Sequence, residues 1–431
     1  MGFQTTTGGK MHIFLLGADG FIGRHIATHL RQHGHHVTAS ARRVSALTQM
    51  GFATFQADLT KPVNWAEALK GCDAIVNAAG LLNGSEAQMQ AVHSAAPAAL
   101  YAAAKQVGLQ KIILISAVGL KADTPFARHR REGEAVALAA GLPTVILRPS
   151  MMLGETSYGG SSLMRALAAM PFATPMVGKG EQKFDPIHAD DLAATVRQAL
   201  ETRALDGQTL SPCGPERVTQ ANMLAAMRAW LGRAPARALH LPLPMAHAMG
   251  WLGDKLKLGP ISAAAVKQLE TGVTADYAAF AKATSQQPRG FSDMLSNRPA
   301  GTQDLWHARL YLLRPLIRFA LMFMWLLSGL VGLFLPPERF LDGLSGVPLS
   351  GQALTMAARG AGLIDLAIAF GLLAAWRLPR LALFQLAMVG GYTLAFGLIA
   401  PALWLEPYGG LLKNIPVLCL IWVHMILEEE R

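Results

Sequence analysis

The sequence of 431 residues predicts an α/β fold, a doubly wound parallel sheet with a small lid region, followed by an all-α transmembrane four-helix domain. Three observations predict this architecture. First, a glycine-rich turn lies between a short apolar run and a segment that could form a helix. Second, similar apolar runs alternate with alanine-rich segments up to about residue 150. Third, long apolar stretches follow residue 310. A chain of this length is expected to form two or three domains.

The glycine-rich turn has the spacing that a dinucleotide phosphate requires. It contains Gly17, Gly20 and Gly23 and lies between residues 12–16 and residues 24–32. We expect Gly17 to form the tight turn, Gly20 to let the backbone approach a pyrophosphate, and Gly23 to allow close packing of helix and strand. The N-terminus of the helix would then face the anion.

Short apolar runs bounded by turn residues predict six strands. They are residues 12–16, 36–39, 53–56, 74–77, 111–116 and 144–147. The segments between them are long enough for crossover helices, which makes the sheet parallel. We expect four regions in the chain. They are a dinucleotide-binding core (11–150), a substrate or lid region (151–284), a polar linker (285–309) and a transmembrane domain (310–431).

Four apolar stretches predict membrane spans, because about 20 residues are needed to cross about 30 Å of hydrocarbon. They are residues 316–335, 357–376, 381–403 and the shorter 411–427. Basic residues precede the first stretch and lie between the second and third, at Arg309, Arg314, Arg318, Arg377 and Arg380. Positive charge marks the cytoplasmic side. We therefore expect an inner-membrane protein whose termini and cofactor domain are cytoplasmic.

The composition and net charge limit the classes of molecule that the protein is expected to bind. The net charge of +10 at pH 7 suits a lipid bilayer with anionic headgroups or a phosphorylated ligand. The basic residues are scattered and no stacking aromatic residues accompany them, so we expect no nucleic acid. Three isolated cysteines support neither a disulfide framework nor a zinc site. His188, Asp190 and Asp191 suit the start of a helix better than a metal site, and we expect no metal.

Further pieces of a cofactor site follow the predicted strands in order. They are Asp58 and Leu59, then Asn77, Ala78, Ala79 and Gly80, then Ser116, then Arg148 and Pro149. With the glycine turn they resemble the extended short-chain dehydrogenase/reductase family, in its atypical NAD(P)H-binding branch. The resemblance covers roughly residues 11–231 and implies a Rossmann fold with the cofactor across the carboxyl ends of the strands.

The resemblance also implies which residues bind the cofactor. They are Gly17, Gly20, Phe21, Ile22, Gly23, Arg42, Arg43, Asp58, Leu59, Ala78, Ala79, Gly80, Ser116 and Pro149. An acidic residue after the second strand binds the ribose of NAD, whereas an arginine accommodates the 2′-phosphate of NADP. Arg42 and Arg43 occupy that place, so NADP(H) is favoured and NAD(H) is the alternative. One or both arginines could instead only face solvent.

The catalytic pair of the family is missing. Active members carry a tyrosine, and a lysine four residues later, in the helix before the sixth strand. With Glu134 as the reference position, Phe126 and Arg130 occupy those places. Phenylalanine has no hydroxyl, and arginine hydrogen-bonds differently from lysine. Ser116, which could polarise a carbonyl, and Arg130 are the candidate catalytic residues. His129 could titrate near neutrality or simply be solvated.

One carboxylate interrupts the predicted membrane spans. Asp365 lies within an apolar helix, where a charge is costly, and is therefore a functional candidate. Its alternative is a structural pair with Arg359. The four-span segment resembles the DoxX-like membrane family, some of whose members belong to quinone-linked redox systems. This resemblance implies electron exchange with the quinone pool.

Three functions remain open. The first is a membrane-anchored, NADPH-dependent oxidoreductase acting on a lipid, a quinone or another amphipathic small molecule with a carbonyl group. The second is a non-catalytic NADP(H)-binding redox sensor or stability module of a membrane complex, because the chain also resembles an accessory subunit of respiratory complex I. The third is a nucleotide-sugar epimerase. The missing tyrosine counts against the third, because epimerisation requires the same hydride and proton transfers.

Overall fold

The structure is a computed structural model that describes residues 9–339, 341, 349–405 and 410–429. Its internal contacts divide the chain into two units. The first comprises the residues up to Asp254 together with Gly259–Ala308, and the second comprises Lys255–Leu258 together with the chain from Arg309 onward.

The strands and helices are numbered in chain order. The strands are β1 (His12–Leu16), β2 (His36–Ala41), β3 (Ala53–Gln56), β4 (Ala74–Asn77), β5 (Lys111–Ile115), β6 (Thr144–Leu147), β7 (Met152–Leu153), β8 (Ala173–Val177), β9 (Lys183–Phe184), β10 (Ile187–His188), β11 (Thr209–Leu210), β12 (Val218–Thr219) and β13 (Arg237–Leu241). The helices up to the lid are α1 (Phe21–Gln32), α2 (Ser45–Gln49), α3 (Trp65–Ala68), α4 (Glu86–Gln90), α5 (Ala96–Gln106), α6 (Pro125–Leu138), α7 (Gly160–Ala168), α8 (Ala189–Glu201) and α9 (Gln220–Trp230). The remaining helices are α10 (Leu243–Lys255), α11 (Ala263–Thr271), α12 (Tyr277–Thr284), α13 (Phe291–Ser296), α14 (Thr302–Phe334), α15 (Gly351–Leu373), α16 (Leu378–Ile399) and α17 (Asn414–Leu427).

The first unit is built on a seven-stranded parallel sheet with the order β11-β6-β5-β4-β1-β2-β3. All six predicted strands are confirmed. The seventh, β11, is only two residues long, so its sequence carries no strand period. Leu16 at the end of β1 lies opposite Ser40 of β2 and Asn77 of β4. This register brings the carboxyl ends of the central strands to one edge, where a ligand binds in such sheets.

Successive side chains of β1 point to opposite faces of the sheet, as in any strand, and therefore pack in two separate hydrophobic cores. Ile13 and Leu15 pack with apolar residues of α1 and α8 on one face of the sheet. Phe14 and Leu16 pack with apolar residues of α3 and α5 on the other face. The sheet is therefore covered on both sides, and the predicted doubly wound class is confirmed.

The lid region contains three short strand pairs, β7–β10, β9–β12 and β8–β13. Helices α7 and α9 pack beside them around a methionine-rich core. Phe291 of α13 joins that core at 3% exposure. The segment predicted as a polar linker, 285–309, therefore differs from a free linker, because it forms α13 and the first turns of α14. Its pattern was polar because only one side of α13 is buried.

The second unit is helical. Among the described residues, α14, α15 and α16 are long and apolar enough to cross a membrane, and the helix near the C-terminus is shorter. Leu321 and Trp325 of α14 pack with Ile368 of α15, Leu381 of α16 and Ile421 of α17. The predicted membrane domain is confirmed as a helical unit, although α14 begins well before the predicted first span.

Candidate cofactor site

A crevice with about 710 Å³ of open space lies at the carboxyl ends of β1 to β4. Eight of the predicted cofactor residues line it. They are Gly17, Gly20, Arg42, Asp58, Leu59, Ala78, Ala79 and Gly80. Five others do not line it; four of these follow Gly20 or Arg42 directly in the chain, and Pro149 lies after β6. They are Phe21, Ile22, Gly23, Arg43 and Pro149. The crevice has the glycine-lined floor that a dinucleotide phosphate needs.

Two glycines of the turn exclude any side chain. Gly17 has φ +80, and a Cβ there would lie 2.7 Å from the backbone nitrogen of Ala79. A Cβ on Gly23 would lie 2.1 Å from the carbonyl oxygen of Gly17. Gly20 precedes α1 and gives it no side-chain cap. The first N–H groups of α1 therefore remain available for an anion.

Asp58 is held as an anion at the end of β3. Its Oδ1 accepts hydrogen bonds from Thr60 Oγ1 at 2.7 Å and from the Thr60 backbone N–H at 3.1 Å. These hydrogen bonds lower the pKa of the Asp58 carboxyl below its ordinary value. The carboxylate also lines the crevice, where it could accept a hydrogen bond from an adenine amino group.

A smaller cavity adjoins the crevice and brings the two candidate catalytic residues together. Ser116 and Arg130 both line it, together with Asn77 and His93. Ser116 is 4% exposed, and its Oγ has no hydrogen-bond partner among the described residues. Ser116 follows β5 directly, so its hydroxyl lies at the same edge of the sheet as the crevice. The hydroxyl is therefore free to hydrogen-bond a substrate carbonyl.

Arg130 is half-buried and lies against the loop that follows β4. Its Nη1 donates a 2.9 Å hydrogen bond to the Ile115 carbonyl oxygen, whereas its Nε has no partner in the described part of the chain. A Cβ on Gly80 would lie 2.1 Å from Arg130 Nη2, so a larger residue there would displace the guanidinium from this position. Burial lowers the pKa of Arg130 to about 10, partly opposed by Glu134. The side chain thus stays positively charged at neutral pH.

Phe126 presents an apolar surface where the family has its tyrosine. It is 7% exposed and packs with Met89 and Leu120. The Arg130 guanidinium carbon lies 5.5 Å from the centre of the Phe126 ring, which is within cation–π range. This position therefore supplies packing and cannot supply a proton.

Sequence reasoning missed His93 as a site residue. One π-helical turn, Ala91–Ala95, lies between α4 and α5, and such turns are frequent at functional sites. His93 Nε2 lies 3.2 Å from Leu81 N and 3.0 Å from Leu81 O, so the imidazole fixes the loop after Gly80. The spacing of apolar residues does not predict a π-helical turn, so the sequence did not indicate that His93 lies at the site.

Tyr101 was also missed, and Asn77 was named in the motif that ends the fourth strand but was given no role. Asn77 Nδ2 donates to Tyr101 Oη at 2.8 Å, and Asn77 Oδ1 accepts from the Ala79 backbone N–H at 3.1 Å. These bonds fix the backbone of Ala78–Gly80 against the sheet. The role of Asn77 could have been inferred from its place directly before the small residues Ala78–Gly80. Tyr101 lies in an alanine-rich helix whose sequence does not indicate a hydrogen bond to Asn77.

His129 is buried rather than solvated. Its side chain is 2% exposed, with Nδ1 at 2.9 Å from Glu132 Oε2 and Nε2 at 3.1 Å from Glu86 Oε1. It does not line either cavity. The interpretation as a solvated surface histidine is wrong, because α6 turns this residue towards Glu86 at the start of α4.

The described residues contain one cluster with metal-ligand spacing, His25, Glu155 and Asp190, whose ligand atoms lie within 4.8 Å of one another. His25 Nδ1 is already 3.0 Å from Asp190 Oδ1, and Arg289 Nη2 lies 3.7 Å from Asp190 Oδ2. A guanidinium beside the carboxylate disfavours a second cation there. The expectation of no metal stays a prediction.

Asp365 lies in α15 and is 5% exposed. Its Oδ2 accepts a 2.7 Å hydrogen bond from Ser328 Oγ of α14, and its Oδ1 has no partner among the described residues. Arg359 does not pair with it and instead donates to the carbonyl oxygens of Gly332 and Leu335. The alternative of an Asp365–Arg359 pair is therefore wrong in this structure, and Asp365 stays a functional candidate.

The buried histidine of the site predicts a pH dependence of stability. Burial, followed by the charge of Arg130, lowers the pKa of His93 from 6.5 to about 4. Between these values the unfolded chain binds a proton that the folded chain does not. Stability contributed by neutral His93 is therefore complete above pH 6.5 and is lost as the pH falls towards 4.

We expect the free energy of unfolding of the first unit to fall by about 2 kcal/mol between pH 7 and pH 5, because the unfolded chain binds a proton at His93. His93→Gln keeps a polar group near Leu81 and should reduce the loss. The measurement is urea unfolding of the full chain in detergent at both pH values. His29, whose pKa burial also lowers to about 4, contributes equally to both proteins. An unchanged pH dependence in His93→Gln would contradict the prediction.

Comparison with known proteins agrees with this geometry. Residues 13–210 match the NAD dependent epimerase/dehydratase family, and residues 322–422 match the DoxX-like family. The N-terminal region is therefore similar to the epimerase and short-chain dehydrogenase/reductase family, and the C-terminal region is similar to the DoxX-like family. Both predicted family resemblances are confirmed.

Individual relatives are distant. The 2-alkyl-3-oxoalkanoate reductase of Shewanella oneidensis is 28% identical over 276 residues, which are 56% of this chain and 70% of that protein. Subunit 9 of the mitochondrial NADH dehydrogenase [ubiquinone] 1 alpha subcomplex of Arabidopsis thaliana is 25% identical over 56% of this chain and 64% of its own length. The structure of MoeE5 in complex with UDP-glucose and NAD aligns with a TM-score of 0.54 at 20% identity, covering 70% of this chain and 99% of that one. That likeness shows the fold alone.

Proposed function

We propose that the protein is a membrane-anchored oxidoreductase that favours NADPH and acts on an amphipathic carbonyl compound, either a lipid or a quinone. The observation that carries this proposal is the cavity shared by Ser116 and Arg130 beside Gly80. A buried hydroxyl and a half-buried cation, each with an atom that lacks a partner among the described residues, can hydrogen-bond one carbonyl oxygen. Preorganised donors of this kind stabilise the negative charge that develops during reduction.

Each residue has a distinct role in this proposal. Bound NADPH would supply the hydride. Ser116 would donate its hydroxyl proton in a hydrogen bond to the carbonyl oxygen and so orient the substrate. Arg130 keeps its proton at neutral pH because its pKa is about 10, so it stabilises charge and does not transfer a proton. Phe126 packs beside Arg130 and cannot donate a proton, so the alkoxide left by hydride transfer would take its proton from water.

Two further observations support an amphipathic substrate. The relative from Shewanella oneidensis is named for a 3-oxoalkanoate, in which a ketone lies beside an alkyl chain. The described helices α14 to α16 are able to cross a membrane, so the same chain adjoins lipid. A substrate dissolved in the bilayer would therefore need no long diffusion through water.

The test is NADPH oxidation by the full chain in mild detergent, with a panel of quinones, aldehydes and 3-oxoacyl compounds. We expect oxidation with at least one class and a loss of about a hundredfold in kcat for Ser116→Ala, the scale for one lost oxyanion donor. NADPH affinity should be unchanged in that variant. Tight NADPH binding without oxidation of any compound would overturn the oxidoreductase proposal.

The second candidate is a non-catalytic NADP(H)-binding sensor or a stability module of a membrane complex. The buried, hydroxyl-free Phe126 favours it, as does the likeness to a complex I subunit. Binding without oxidation, together with NADPH-dependent copurification of a membrane complex, would support it. The epimerase alternative has no such support, because Phe126 cannot transfer the proton that epimerisation requires.

We propose that Arg42 and Arg43 recognise the 2′-phosphate of NADPH. Arg42 lines the crevice and both side chains are exposed. Replacing both by alanine should weaken NADPH binding by about tenfold to a hundredfold, the scale of a hydrogen bond to a charged group. NADH binding should change little. Isothermal titration with both nucleotides measures this, with Arg31→Ala as a control outside the crevice. Equal losses for NADPH and NADH would refute the role.

A further inference from the structure

Helix α10 turns its large apolar side chains away from the protein. Five of them are between 40% and 61% exposed. They are Leu243, Met245, Met249, Trp251 and Leu252. The buried residues of the same helix are all small, namely Ala246, Gly250 and Gly253. A surface helix of a water-soluble protein normally has the opposite arrangement, with its large apolar residues facing the core.

The orientation of α10 is fixed by close backbone packing. A Cβ on Gly253 would lie 1.8 Å from the Ile261 carbonyl oxygen, and one on Gly250 would lie 3.0 Å from the Ala263 nitrogen. Only glycines permit this approach. The helix therefore cannot rotate its apolar residues inward, and their exposure is a built feature of the fold.

The polar residues of α10 are satisfied within the first unit. His247 Nε2 lies 2.7 Å from Glu270 Oε1 of α11, and Asp254 Oδ2 accepts a 3.0 Å hydrogen bond from the Ala263 backbone N–H. Outside these contacts the helix offers mainly apolar surface. An exposed apolar surface of this kind marks a site that contacts a membrane or another protein.

The segment that continues α10 favours a membrane. Residues Lys255–Leu258 belong to the helical unit. Within that unit, Lys257 Nζ donates a 3.0 Å hydrogen bond to the Ala374 carbonyl oxygen, directly after α15, and Arg318 Nη2 donates at 2.7 Å to the Leu256 carbonyl oxygen. The chain leaving α10 is thus attached where an apolar, membrane-crossing helix ends.

Charge and residue type agree with that location. Exposed Lys255 and Lys257 follow the apolar side chains. Lysines near a bilayer contribute about 1 kcal/mol each through attraction to anionic headgroups. Tryptophan, here Trp251, is enriched at the membrane–water interface. An apolar helix with flanking basic residues has the composition of an interfacial anchor.

We propose that α10 lies in the interface of an anionic lipid bilayer, with Met249, Trp251 and Leu252 inserted at the boundary between headgroups and acyl chains. The lid of the cofactor domain is then held against the membrane surface by its own contact, in addition to the spanning helices.

The test uses the full chain in nanodiscs that contain phosphatidylglycerol. A photoreactive benzoylphenylalanine replaces Trp251, Met249 or the control Leu138, which is 55% exposed on α6. We expect severalfold more phospholipid adducts at positions 251 and 249 than at 138. Equal adduct yields at all three positions, or a cross-linked dimer of the chain at position 251, would overturn the proposal. Unaltered gel-filtration profiles show that each variant is folded.

Lipid charge gives a second measurement. Adduct yield at position 251 should fall severalfold in nanodiscs of phosphatidylcholine alone, and Lys255→Gln should lower the yield in anionic nanodiscs. An adduct yield that responds to neither change would show that headgroup charge plays no part. Neither readout depends on NADPH binding or turnover, so failure here is distinct from failure of the proposed function.

Discussion

Gly17→Ala is expected to weaken NADPH binding by about a hundredfold, which corresponds to a little under 3 kcal/mol. The new Cβ would lie 2.7 Å from Ala79 N and 2.8 Å from Ala79 Cα and Ala78 C. All three contacts are to backbone, which cannot move aside as a flexible side chain would. Overpacking of this kind costs about 1–3 kcal/mol. The displaced loop would also narrow the crevice. Titration with NADPH measures the effect.

Gly108→Ala is the matched control for this substitution. Gly108 has φ +78, close to the φ +80 of Gly17, but no atom lies within 4 Å of its ideal Cβ position. The variant therefore carries the same left-handed backbone strain, about 1 kcal/mol, without a clash. We expect it to lower stability slightly and to bind NADPH as the unmodified chain does. Equal NADPH affinity of both variants would refute the role of Gly17.

Glu134→Gln is expected to destabilise the first unit by about 2 kcal/mol, less than the roughly 3–5 kcal/mol for breaking a fully buried ion pair, because the Arg148 side chain is 37% exposed. Glu134 is 5% exposed and accepts hydrogen bonds from Arg148 Nε at 2.8 Å and from Arg148 Nη2. Its charge also favours the protonated form of half-buried Arg130. The amide leaves both guanidiniums without a compensating charge. Hydrogen exchange of the β5 and β6 amides in the full chain measures the loss.

Glu86→Gln provides the comparison, because it removes the carboxylate of another pair with α6. Glu86 is paired with Arg128 at 2.7 Å, where both side chains are about half exposed or more, and its Oε1 lies 3.1 Å from His129 Nε2, which a glutamine amide oxygen can still hydrogen-bond. Exposed pairs contribute about 0–1 kcal/mol. We expect the β5 and β6 amides to exchange nearly as in the unmodified chain. A loss for Glu134→Gln no larger than for Glu86→Gln would contradict the assigned role of burial.

Much of the fold follows from local sequence signals. Four predicted strands, including 12–16 and 144–147, match the structure residue for residue, since each is a short apolar run between turn residues. The short strand β11 was not predicted, because two residues are too few to show the alternation of apolar and polar residues that indicates a strand. The linker at 285–309 was misjudged for a related reason, because burial of Phe291 depends on a distant core.

The candidate site was predicted less completely than the fold. Glycine spacing indicated Gly17 and Gly23 because the turn that opens α1 is a local feature of the chain, although the close approach of Gly17 to Ala79 is not local. The sequence could not separate Arg42, which lines the crevice, from Arg43, which does not. His93 was missed because a π-turn carries it to the loop after β4.

The sequence by itself determined that this protein has a dinucleotide-type glycine turn in a parallel sheet and a membrane domain, since spacing, strand period and span length are local properties. Only the tertiary structure decided that Arg130 and Ser116 share one cavity, and that Asp365 pairs with Ser328 rather than Arg359. It also decided which way α10 faces. These facts depend on packing between segments far apart in the chain, and no local pattern records such packing.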